Sequence, residues 1–281
     1  MIFLHIGLPK TGTTFLQQTA FACWPNITYE NDLWLPYVVL QEEGKKYLIS
    51  NETLTGRPWN RNSLQNLSWH QEMERILSGL NRLFPEASVM VSFRKHAGFI
   101  ESLYAQYLHE GGTRRLEDFF TLEGDSSIIC AQDLDYSKIV QSIASRFGER
   151  VFVFTLEQLR ANLDCLLVGM GEFFGESPPD IGGLDLSYRN RGVGHHQAKL
   201  LRLLNHLDRK PGTHLKPCGR MTLTNTWTRA LRIDPRSLCQ DRLAWISSRK
   251  LKLPDVLRVE VDRYFAEDWR HIEELASKHL L

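Results

Sequence analysis

A 281-residue chain with 42% hydrophobic residues is long enough to bury a substantial core, as one large α/β domain or two small ones. Its 34 basic and 33 acidic residues leave a formal charge of +1, which excludes bulk attraction to nucleic acid or an anionic membrane, so any anion binding has to be local. Five scattered cysteines, Cys23, Cys130, Cys165, Cys218 and Cys239, form no Cys-x-x-Cys pair, which argues against a disulfide framework or structural zinc and for a reducing compartment.

The first apolar run, Ile2 to Ile6, reads as a strand. No basic leader precedes it, and no later apolar stretch approaches the roughly 20 residues that span a bilayer, so the expectation is a soluble, cytoplasmic protein without a membrane segment. Gly7-Leu8-Pro9-Lys10-Thr11-Gly12-Thr13-Thr14 follows, and then a helix-like pattern. The spacing Gly7-x4-Gly12 is that of a phosphate-binding loop between strand and helix, with backbone N–H groups and hydroxyls to donate. The position after Gly12, where a nucleotide-binding P-loop carries its lysine, holds Thr13, and the lysine stands inside the loop as Lys10.

Further β-rich runs at Tyr47–Ser50, Ser88–Phe93 and Val151–Thr155 alternate with helical patterns at Gln71–Phe84, Ile100–His109 and Tyr136–Phe147. Such alternation predicts an α/β fold with a central parallel sheet flanked by helices, its ligands at the carboxyl ends of the strands. Pro178-Pro179 and Gly182-Gly183 close this regular part; beyond them the chain reads as a helical region laid over the sheet. The expected organisation is a single domain over 1–281, with an α/β core in 1–175 and a mostly helical region in 176–281. An ATP or GTP hydrolase needs an aspartate after an apolar strand to hold magnesium. Ser88–Phe93 runs instead into Arg94, and Val151–Thr155 into Leu156-Glu157, which favours a ligand bound without metal.

Pro9-Lys10-Thr11-Gly12-Thr13-Thr14 resembles the first loop of sulfotransferases that use 3′-phosphoadenosine-5′-phosphosulfate, PAPS. The resemblance implies a P-loop-like sulfotransferase fold of the bacterial kind. It implies that the loop wraps the 5′-phosphosulfate, that Lys10 contacts the bridging oxygen, and that Thr13 and Thr14 hold the 5′-phosphate. An Arg and a Ser eight residues on bind the 3′-phosphate in that family, and Arg94 and Ser102 have this spacing after the Ser88–Phe93 run. Leu134-Asp135-Tyr136 and Thr155-Leu156-Glu157-Gln158-Leu159 also resemble bacterial members. Arg189 and Arg191, in Tyr188-Arg189-Asn190-Arg191-Gly192, are the nearest match to a basic loop on the 3′-phosphate, the alternative being a solvated turn.

Transfer to a hydroxyl needs a proton acceptor. Glu52 follows the second clear apolar run, with Ser50 placed to orient its carboxylate; Glu30 follows a short β-like triplet twenty residues past Lys10. Glu52 is favoured as catalytic base and Glu30 is the alternative, and either can instead be a helix cap or a surface carboxylate. His5, inside the first strand, reads as a buried structural histidine. His195-His196 lacks a third ligand at zinc-like spacing, so no metal is expected. Trp59 is a candidate pocket wall. The acceptor is read as a carbohydrate or another small alcohol. A P-loop small-molecule kinase and a non-catalytic nucleotide-binding protein of the same fold are the competing readings, and a homodimer is one assembly the sequence allows.

Overall fold

The computed structural model describes residues 1–31, 44–56, 68–124, 127–186, 198–199, 201–203, 205 and 251–278. Arg189, Arg191, His195, His196, Trp34, Trp59, Trp227, Cys218 and Cys239 lie outside them.

A five-stranded, all-parallel sheet organises the first of two compact units, formed by Met1–His96, Ala131–Arg189 and Asp262–Leu281. Its strands are β1 (Ile2–Gly7), β2 (Ile27–Glu30), β3 (Lys46–Ser50), β4 (Ser88–Phe93) and β7 (Val151–Thr155), in the order β2-β3-β1-β4-β7. β1 lies at the centre, hence the apolar run that made it legible: Phe3, Leu4 and Ile6 are all buried. Successive residues of a strand face opposite sides of the sheet. On one side Phe3, Leu48, Met90, Phe152 and Phe154 form a continuous core with Leu16, Phe21 and Trp24 and with Leu166, Leu167, Met170 and Phe174. Leu4, Val89, Val91 and Val153 alternate with these and are buried as well, so both faces of the sheet are covered.

The helices of this unit are α1 (Thr13–Thr19), α2 (Trp69–Leu83), α5 (Tyr136–Phe147), α6 (Leu156–Ala161), α7 (Leu163–Phe174) and α9 (Ala266–Ser277). Several begin at side-chain caps that satisfy the first free N–H groups: Ser68 and Thr155 each form a reciprocal capping box with a glutamine three residues on, and Asp135 accepts from Lys138 N. Helix α9 packs against β7 and α5. It is apolar on the covered side, where Trp269, Ile272 and Ala276 are buried, and charged elsewhere.

The second unit, Ala97–Cys130 with Asn190–Val261, contains most of α3 (His96–His109), the short helix α4 (Leu116–Phe119) and the two-stranded β5 (Phe120–Thr121) and β6 (Ile129–Cys130) pair. Tyr104, Tyr107 and Phe119 cluster there, with Tyr107 Oη accepting from the N–H groups of Thr113 and Arg114. Glu101 accepts from Arg258 Nη1 at 2.8 Å and from Leu253 N at 3.0 Å, next to the start of α8 (Asp255–Tyr264).

Four expected strands and three expected helices coincide with observed elements, with α3 starting at His96 rather than Ile100. Among the described residues, no helix is long and apolar enough to cross a membrane.

Candidate functional site

The loop between β1 and α1 is built by two backbone demands. Lys10 sits at φ 65°, the one non-glycine residue at positive φ among those described, and Gly12 sits at φ 99°. For an L-residue the left-handed region costs about 1–2 kcal/mol, so Lys10 is held there by its surroundings and Gly12 is suited to it. A Cβ on Gly12 would lie 2.6 Å from Leu159 Cδ2, and one on Gly7 would lie 2.0 Å from Thr13 Oγ1. Both glycines are therefore required by close approach, Gly7 to α1 and Gly12 to α6.

Thr11 braces the turn from inside. Its hydroxyl donates to Leu8 O at 2.6 Å and shares a 2.6 Å hydrogen bond with Ser92 Oγ, Ser92 being in register with Gly7 on the neighbouring strand. Since the Thr11 hydrogen is spent on Leu8, Ser92 is the donor in the second bond, and Thr11 has no side-chain donor left for an anion. Pro9 and Lys10 lead out of this buried brace, and the Lys10 side chain is exposed.

Thr13 turns inward: its hydroxyl is buried without a hydrogen-bond partner among the described residues. Thr14 Oγ1 donates to Glu52 Oε1 at 2.9 Å. The sheet order explains this contact, because β3 is the immediate neighbour of β1 and Glu52 opens the turn directly after it. Glu30 ends β2, one strand further out, in register with Ile49. With strands about 4.8 Å apart, that places it roughly 10 Å across the sheet from β1.

Ser50 does not orient Glu52 as expected. The β1–β3 register sets Ser50 beside His5, and its hydroxyl bonds His5 Nδ1 at 2.7 Å and accepts from Gln17 Nε2 at 3.1 Å. His5 is fully buried, its ring edge-on to Phe21 and stacked on Phe154, and burial lowers its pKa from 6.5 to about 3. The folded protein thus keeps His5 neutral while the unfolded chain takes up a proton below pH 6.5. Stability from this group is complete above pH 6.5 and falls toward pH 3 by up to about 1.4 kcal/mol per pH unit. Thermal melts at pH 7 and pH 5 should show a smaller acid loss in His5→Gln than in the wild type; equal losses would contradict it.

Arg94 follows β4 directly and approaches the loop from the other side, its Nη1 making a long 3.5 Å contact with Lys10 O. Its own carbonyl accepts from Tyr136 Oη at 2.9 Å, and the next N–H, of Lys95, donates to Glu157 Oε1 at 3.2 Å. Ser102 is half-buried within α3, in the second unit.

The carboxyl ends of β1, β3 and β4 therefore carry an exposed ammonium on a strained turn, a guanidinium, and the Thr14 hydroxyl bonded to the Glu52 carboxylate. No family model matches the chain, and no curated protein matches it. Mouse sulfotransferase SULT7A1 complexed with PAP is similar among solved structures. The likeness covers 98% of this chain and 89% of that one, at 14% identity and a TM-score of 0.45.

Sequence reasoning missed two members of this neighbourhood. Tyr136 stood in a recognised segment but carried no sign of its bond to Arg94. Asp268, on α9, accepts from Tyr136 N and Ser137 N across more than 130 residues, and no local pattern announces such a contact.

Proposed function

We propose that this chain is a PAPS-dependent sulfotransferase whose acceptor is a small alcohol or carbohydrate hydroxyl. The observation that carries the reading is the turn at Lys10, where a non-glycine residue is kept at positive φ beside Arg94 while Thr14 bonds Glu52. Strain of this kind persists where the surroundings enforce it, and it clusters at ligand-binding turns.

In this reading the backbone N–H groups of Lys10-Thr11-Gly12-Thr13-Thr14, together with the Thr14 hydroxyl, hold the 5′-phosphate, and Thr13, whose hydroxyl is buried, contributes through its backbone. Thr11 contributes through its backbone, since its hydroxyl is committed to Leu8 and Ser92. Arg94 takes the 3′-phosphate, a planar guanidinium fork being suited to two parallel bonds to phosphate oxygens. Arg189 and Arg191 are the further candidates for that phosphate.

In the transfer itself, the acceptor oxygen forms a bond to sulfur as the bond from sulfur to the bridging oxygen breaks. The acceptor's proton passes to Glu52, and the electron pair of the broken bond stays on the bridging oxygen, where Lys10 meets the developing charge. Thr14 links the two halves: when its hydroxyl turns to the 5′-phosphate it leaves Glu52 Oε1 free to accept a proton.

Titration with adenosine 3′,5′-bisphosphate while divalent metal is chelated tests the proposal. Saturable binding is expected; binding that appears only on adding magnesium would point back to a kinase.

A further inference from the structure

The Arg94 turn is held by side chains from α5 and α6. Tyr136 Oη donates to Arg94 O at 2.9 Å, and Glu157 Oε1 accepts from Lys95 N at 3.2 Å, so the one peptide unit that follows the guanidinium-bearing residue is gripped at its carbonyl by α5 and at its N–H by α6. Tyr136 is in turn fixed on every side. Its ring stacks on His96 at 4.1 Å and leans on Phe93 at 4.7 Å, and its backbone N–H donates to Asp268 Oδ2 at 3.1 Å. Asp268 also accepts from Ser137 N at 2.9 Å and from Ser137 Oγ at 2.5 Å, so a carboxylate from α9 serves the first free N–H groups of α5.

His96 closes the assembly. Its Nε2 lies 3.0 Å from Leu134 O and 3.2 Å from Asp268 Oδ2; both are acceptors, which puts the ring hydrogen on Nε2. Its other face stacks on Phe265 at 4.0 Å, nearly parallel. The chain from α9 to Arg94 is thus continuous: Asp268 and Phe265 fix Tyr136 and His96, and Tyr136 fixes the carbonyl of Arg94.

We propose that Tyr136 and Glu157 are positioning residues that aim the Arg94 guanidinium at the 3′-phosphate of the nucleotide, with Asp268 anchoring Tyr136. This rests on the sulfotransferase reading, since it needs Arg94 to meet a 3′-phosphate. Charge-assisted bonds depend on direction as well as distance, and an arginine at the end of a strand has a long side chain whose root must be fixed before its fork can be. A clamp on both ends of the peptide unit between Arg94 and Lys95 does this without touching the ligand.

The test is a cycle of calorimetric titrations with adenosine 3′,5′-bisphosphate and adenosine 5′-monophosphate. Tyr136→Phe keeps the ring and its stacking and removes the hydroxyl that donates to Arg94 O. It should weaken the bisphosphate about three- to tenfold and leave the monophosphate unchanged. Arg94→Ala should weaken the bisphosphate at least as much, and adding Tyr136→Phe to it should bring no further loss, because there is no guanidinium left to aim. Glu157→Ala reaches the same turn from the opposite side and should show the same selectivity, which keeps the test open if Tyr136→Phe folds poorly.

Equal loss for both nucleotides, or a Tyr136→Phe effect that persists undiminished in Arg94→Ala, would overturn the positioning role. If Arg94→Ala itself leaves the preference for the bisphosphate unchanged, the assignment of Arg94 falls, and the proposal built on it falls as well.

Discussion

Glu52→Gln is expected to lower sulfuryl transfer by about 10²–10⁴-fold, the usual contribution of a general base, while adenosine 3′,5′-bisphosphate binds no more weakly than to the wild type. Glutamine keeps the length of the side chain and retains an oxygen that can accept from Thr14 Oγ1, so the 2.9 Å contact that ties the turn after β3 to α1 survives the substitution. What is lost is the capacity to take a proton. Glu30→Gln should cost far less, because Glu30 ends the outer strand β2 and β3 separates it from β1. Incorporation of labelled sulfuryl groups from PAPS into carbohydrate, lipid or phenolic extracts measures both. Full activity in Glu52→Gln with an inactive Glu30→Gln would move the base to the end of β2.

Lys10→Ala is the second large effect. Lys10 is exposed, at positive φ, on the turn that the proposal wraps around the phosphosulfate. If its ammonium meets charge that develops on the bridging oxygen, the interaction is strongest in the transition state, and turnover should fall about 10²–10³-fold. Affinity for the desulfated nucleotide should fall much less, since that product no longer carries the bond that breaks. Alanine at this position inherits the same left-handed backbone as lysine, so the comparison isolates the side chain from the turn. Equal losses in turnover and in product affinity would make Lys10 a simple phosphate anchor.

The central strands were legible because burial on both faces demands nearly continuous apolar runs, as in Ile2–Ile6 and Ser88–Phe93. β2 left only a faint trace: it has four residues at the edge of the sheet, and Thr28 and Glu30 interrupt its apolar pattern. Helix α7 went unread because Leu163–Phe174 is largely apolar and carries two glycines, so it shows little of the two-sided pattern that marks a surface helix. In the site, Gly7 and Gly12 announced the loop because a Cβ at either has no room. Thr11 was read as an anion donor and proves to be an internal brace, a difference decided by the β1–β4 register that brings Ser92 to it. The same kind of cross-strand pairing turned Ser50 toward His5 and left Thr14 as the partner of Glu52. Residues in sequence show which groups are available; register and helix docking decide which of them meet.

The most direct test of the central claim is the ratio of affinities for adenosine 3′,5′-bisphosphate and adenosine 5′-monophosphate, measured by calorimetry with divalent metal chelated. A 3′-phosphate that gains charge-assisted bonds worth about 1.5–3 kcal/mol each should favour the bisphosphate by at least tenfold. Equal affinity for the two nucleotides, or a strict need for magnesium, would contradict the sulfotransferase reading.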